Sequence, residues 1–175
     1  MRTPRKRSFR SLRREEVDPL DGRAARAVAL DSLSRRDHSS EELRSKLLGK
    51  GYDVAVIAEL IEGLQAEKLL DDARYLENFI DYHAGRGQGP NRVRANLRNL
   101  RLSGAEVDAA LAAYPDWLAQ LDRAREKKFG TSPPTNYADQ QRQARFLAYR
   151  GFSGAQIRAA LGLDTDLDAD TTHEI

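Results

Sequence analysis

The chain has 175 residues, of which 40% are hydrophobic, 32% charged and 7% aromatic. With no cysteine, disulfides and thiolate metal sites are excluded; no apolar run is long enough to span a bilayer, and none follows the basic first residues as a secretory signal requires. The formal net charge of +2 hides an asymmetry: residues 1–14 carry seven Lys or Arg and no acid, residues 164–175 carry five Asp or Glu and no Lys or Arg, and 22 bases meet 22 acids between them.

The first segment, "MRTPRKRSFRSLRR", is expected to be a disordered basic tail over 1–17, able to attract polyanions without fixed geometry. Asp18-Pro19 then predicts a helix start, leading through Ala24, Ala27, Leu30 and Leu33. Ser39 with Glu42 forms the Ser-x-x-Glu capping box ahead of Leu43, Leu47 and Leu48, and Gly51 suits the helix end. Asp53 caps a third helix carrying Ile57 and Ile61.

The same three-helix order recurs. Asp71 caps a helix with Tyr75, Leu76, Phe79 and Ile80. Pro90 suits the first position of the next, which holds Val93, Leu97 and Leu100. Ser103 and Glu106 spell a capping box before Val107 and Leu111. Pro115 opens a helix with Leu118, Leu121 and Ala124. After the longer break "FGTSPPTNY" (129–137), Asn136 caps a helix with Phe146 and Leu147 that ends at Gly151. Ser153 and Gln156 form the last box, before Ile157 and Leu161.

This order is an internal repeat. "LSGAEVDAAL" (102–111) and "FSGAQIRAAL" (152–161) agree at six of ten positions, 50 residues apart. A weaker third copy, "YDVAVIAELI", stands another 50 residues upstream. Leu47, Leu97 and Leu147 share one repeated position; Ile57, Val107 and Ile157 share another. The fold class is all-α: three tandem three-helix repeats, about nine helices, in an elongated modular arrangement. The expected division is a basic tail over 1–17, repeats over 18–70, 71–114 and 115–163, and an acidic, disordered tail over 164–175.

Candidates for catalysis are few. His38, His83 and His173 have no second His or Cys at metal-ligand spacing, and His83 falls in the apolar register of its helix. Asp71-Asp72 sits at a helix start, where carboxylates cap N–H groups rather than ligate metal. "GRGQGP" (85–90) precedes a helix but lacks the Gly-Lys-Ser/Thr ending of a phosphate loop, and the preferred reading is a flexible joint. The acidic segment lacks the ligand pattern of a calcium loop. Trp117, Phe129 and Phe152 are possible base-stacking platforms, although Phe152 occupies a repeated core position. No catalytic residue, metal or cofactor is expected.

Charge in the middle repeat is more informative. Gly89 to Leu102 holds four arginines and no acid. Arg94, Arg98 and Arg101, spaced four and three apart, form a stripe beside Val93, Leu97 and Leu100, with Arg92 close by. Arg142, Arg145 and Arg150 lie around the second helix of the third repeat, with Lys127 and Lys128 nearby. The stripe reads equally as a binding surface and as a solvated face neutralised by Glu106 or Asp108.

"SSEELRSKLLGKGY" (39–52), "LLDDARYLENFI" (69–80), "GRGQGPNRVRANL" (85–97) and "RFLAYRGFSGAQI" (145–157) together resemble the RecX family of bacterial recombination regulators. The resemblance runs from about Ala27 to Leu161. It implies tandem three-helix repeats and a non-enzymatic, cytoplasmic modulator, expected to be monomeric, that lies in the groove of the RecA recombinase filament and restrains its ATP hydrolysis and strand exchange. It tips the basic residues toward binding, whether of acidic RecA surface or of single- or double-stranded DNA. The alternative is a helical-repeat protein that acts mainly by binding DNA directly.

Overall fold

The computed structural model describes residues 17–163. The two tails expected from composition fall largely outside that range, as does His173. Among the described residues there are nine helices and no strand. They are α1 (Gly22–Leu33), α2 (Ser40–Lys50), α3 (Val54–Ala66), α4 (Asp72–Gly85), α5 (Pro90–Asn99), α6 (Ala105–Ala113), α7 (Trp117–Phe129), α8 (Tyr137–Arg150) and α9 (Gly154–Leu161).

The helix boundaries follow local chemistry. Ser39 and Ser153 each accept from the backbone N–H three residues on, and Glu42 and Gln156 return a side chain to the cap's own N–H. Asp53, Asp71 and Asn136 cap α3, α4 and α8. Three expected starts move. Asp18 accepts from the Leu20 N–H in a turn, and the helix opens later, with Asp21 accepting from Arg23 and Ala24. Ser103 forms no capping box: Gly104 takes φ 105°, ψ −169°, open only to glycine, and α6 starts behind it without a side-chain cap. Pro115 holds Tyr114 extended, as a following proline does, and α7 starts at Trp117.

The repeat is visible in the turns as well as the core. Gly51 and Gly151 stand in the left-handed region at φ 100° and 93°, and Arg101, at φ 61°, holds the equivalent place in the middle repeat. At all three, two N–H groups close the helix in the same pattern, for example Leu102 N–H to the Leu97 carbonyl and Phe152 N–H to the Leu147 carbonyl. Arg101 therefore belongs to a turn beyond the end of α5, not to a helical stripe.

The chain divides into two compact units at Leu70 and Asp71. In the first, α1–α3 enclose Ala25, Ala29, Leu43, Leu47, Ile57 and Leu64, all fully buried. In the second, the middle and third repeats share one core, in which Leu97 and Leu121 meet Leu147, Phe152 and Ile157. Leu47, Leu97 and Leu147 are each 0% exposed, which bears out the repeat register. Trp117 is buried, and its indole N–H donates to the Leu111 carbonyl at 2.9 Å. It joins α6 to α7 inside the core and offers no stacking platform, and Phe152 is core as well.

Candidate functional site

The link "GRGQGP" is locked, contrary to the flexible joint expected from its composition. The Gly89 N–H donates to the Arg150 carbonyl at 2.9 Å, and the Asn91 N–H to the Gly151 carbonyl at 3.0 Å. The start of α5 thus supplies donors to the end of α8, where carbonyls otherwise lack partners and the dipoles are complementary. The backbones touch: a Cβ on Gly89 would lie 2.4 Å from the Phe152 nitrogen, and one on Gly151 would lie 2.4 Å from Arg92 Cβ. The N–H groups a phosphate would need at this helix start already serve protein carbonyls, which closes the phosphate-cradle reading.

His83 strengthens the lock. Its Nδ1 lies 3.1 Å from Gln88 Oε1, which also accepts from Asn96 Nδ2 at 2.9 Å. Two donors converge on one amide oxygen, so Nδ1 carries the proton. The ring packs on Phe79 at 4.2 Å. Burial holds its pKa below the ordinary histidine value, against the hydrogen bond to Gln88 and with help from the Arg86 charge. The residue is a packed, neutral histidine, as its apolar register suggests.

Beside this link, α7 and α8 form a groove made of two adjoining clefts of about 370 and 340 Å³. The α7 face supplies Gln120, Arg123, Ala124, Lys127 and Lys128; the link supplies Arg86; α8 supplies Phe146 and Arg150. Arg92 and Tyr149 extend the lining. Among the described residues, six cationic ones line the two clefts and no carboxylate does. Phe146 lies at the centre, with the Arg150 guanidinium 5.2 Å and the Lys128 ammonium 5.6 Å from its ring centroid. Phe129 meets it edge-on at 5.3 Å. The ring face gathers cations through its quadrupole and leaves their charge unneutralised. Such a concave surface attracts anions and focuses positive potential toward them. Tyr149, 78% exposed at the rim, adds an open aromatic face.

The structure brings Arg92, Arg150, Lys127 and Lys128 together here. Arg94 is elsewhere, its Nε 3.0 Å from Asp108 Oδ1, the neutralisation foreseen for that stripe. Arg98 is exposed on α5, and Arg101 lines a separate cleft with Asp72 and Glu106. Arg142 pairs with Asp139 at 2.8 Å, and Arg145 is exposed on α8. Sequence reading missed Arg86, Arg123, Phe146 and Tyr149. Arg123 and Lys127 sit four apart, at helical spacing, with Lys128 next in the chain, a signal that was present; the approach of the link to α7 and α8 was not. Among the described residues no cluster of His, Asp or Glu could hold a metal ion, and no helix is long and apolar enough to cross a membrane.

Family models describing the first, second and third three-helix domains of RecX match residues 25–64, 71–111 and 115–161. The chain belongs to the RecX family. The regulatory protein RecX of Halorhodospira halophila is 41% identical over 138 residues, spanning 78% of this chain and 86% of the relative. That of Pseudomonas fluorescens is 39% identical over 145 residues, spanning 82% and 94%. In fold, the chain is similar to the crystal structure of RecX from Lactobacillus salivarius, with a TM-score of 0.71 at 23% identity over 82% of this chain and 97% of that one. A second RecX crystal structure gives a TM-score of 0.65 at 18% identity, over 81% of this chain and 71% of that one. The all-α, tandem-repeat architecture is thus the RecX architecture, and the relatives are named as regulators.

Proposed function

We propose that this RecX-family chain binds the RecA nucleoprotein filament in the cytoplasm, as a monomer without a cofactor, and restrains its ATP hydrolysis and strand exchange. The contacting surface is the groove of α7, α8 and the α4–α5 link. One observation carries this reading: among the described residues, six cations line the groove and no carboxylate does. A filament that combines protein with a phosphate backbone offers a matching polyanion. Several weak contacts along one chain act at high effective concentration, so a rigid two-repeat unit plus a further repeat can grip neighbouring protomers. Holding protomers at one spacing opposes the rearrangements of turnover.

The aromatic residues beside the cations, Phe146 and Tyr149, also favour a second reading in which the groove takes DNA directly. The two readings separate by measuring binding to a bare oligonucleotide and to assembled RecA filaments across salt. Tight filament binding with weak oligonucleotide binding is the expected result. Equal affinity for both, falling steeply with salt, would replace the first reading by the second.

A further inference from the structure

We propose that the acidic segment of this chain, residues 164–175, docks in the basic groove and competes with its external partner. This rests on the groove being the binding surface, and adds its regulation. The segment "DTDLDADTTHEI" places Asp164, Asp166, Asp168, Asp170 and Glu174 within reach of Leu163 and carries no Lys or Arg. Alternate residues of an extended strand point the same way and stand about 6.5 Å apart. Drawn out along the groove, the four aspartates would present one row of charge to cations that meet no acid among the described residues.

Reach permits the contact. The described chain ends at Leu163, which packs on the core of the second unit. Its helix α9 packs on α7 and α8, the two helices that wall the groove. Twelve extended residues span about 40 Å, roughly twice the ~20 Å length of α7. Tethering raises the local carboxylate concentration into the millimolar range, so even weak pairing fills the groove for much of the time. A partner must then displace the segment, and its apparent affinity falls by the fraction of time the groove is open.

The chain has no cysteine, so Ala169→Cys gives one attachment point for a nitroxide outside the described residues. With the recombinase absent, paramagnetic broadening of backbone amides within the second unit should select Arg86–Gln88, Arg123–Lys128 and Phe146–Arg150. Adding Asp164→Asn, Asp166→Asn, Asp168→Asn, Asp170→Asn and Glu174→Gln to the labelled chain should abolish the selection. The same neutral variant, unlabelled, should bind a fluorescent oligothymidylate about tenfold more tightly at 0.1 M salt, the factor for nine-tenths occupancy, with the gain fading as salt screens the pairing. Broadening confined to residues 1–14 would mean that the acidic segment pairs with the basic one, and would overturn the proposal. Uniform or absent broadening would overturn it too. These outcomes are independent of the filament reading, which fails instead if the selection is seen but groove substitutions leave RecA inhibition unchanged.

Discussion

The first unit and the second are built from the same repeat but treat their charge and their cores differently. In the first, one repeat closes its own core, and four of its arginines pair within the unit: Arg26 with Glu67, Arg35 with Asp31, Arg36 with Glu42 and Arg44 with Glu41. In the second, two repeats fuse through one core and a glycine-on-glycine contact, and the cations at the groove face an aromatic ring instead of carboxylates. Repetition therefore fixes the scaffold, while departures from it create the basic groove. The rigid junction matters because it positions Arg86 and Arg92 against a surface formed by α7 and α8, with Arg150 lying 64 residues beyond Arg86.

Damage to each core should have the largest effect. Leu97→Asp should destabilise α4–α9 together, and Leu47→Asp should affect α1–α3 alone. Each buries an unpaired carboxylate, at a cost of several kcal/mol. Hydrogen exchange resolved by helix checks this; if Leu97→Asp spares α7–α9, the shared core is wrong. Gly89→Ala should follow, at about 3 kcal/mol, because its Cβ would lie 2.5 Å or less from the backbone of Gly151 and Phe152. Chemical denaturation measures it, and a neutral outcome would restore the flexible joint.

Much of this was legible in the sequence. The 50-residue period located the core positions and most caps, because burial and backbone capping constrain residue type locally. The locked link was not legible: the glycines of 85–90 look permissive, and only the carbonyls of Arg150 and Gly151 show why no side chain fits. The stripe misled for a related reason. Spacing alone counted Arg101 as helical, although the period aligns it with Gly51 and Gly151, where the chain turns left-handed. The groove depended on residues from the α4–α5 link, α5, α7 and α8; each set is local in sequence, but their approach to one another is not.

Smaller effects sharpen the picture. Ser39→Ala removes a working cap and should cost about 1 kcal/mol, while Ser103→Ala, whose hydroxyl caps nothing at α6, should cost far less. Equal losses in thermal melting would mean that α6 is capped after all. His83 offers a pH test of the link. Its folded pKa is lowered, so the unfolded chain binds more protons as pH falls through the ordinary histidine value of 6.5. The stabilisation from the neutral ring is present above that value and is lost as pH falls toward the folded pKa. His83→Gln should flatten the stability of the second unit between neutral pH and pH 5; an unchanged slope would place the titration elsewhere.

The groove, and not the α5 stripe, is the surface proposed to carry binding. This is tested most directly by inhibition of RecA's DNA-dependent ATP hydrolysis with two charge-reversed variants, each confirmed to fold by its melting curve. One replaces Arg123, Lys127 and Lys128 by Glu; the other replaces Arg94, Arg98 and Arg101 by Glu. All three groove positions are exposed, so each substitution should change stability by only about half a kcal/mol. The groove variant should lose inhibition by tenfold or more at low salt, while the stripe variant, whose Arg94 is already neutralised by Asp108, retains most of it. A folded groove variant that inhibits like the unaltered protein, beside a stripe variant that does not, would contradict the account.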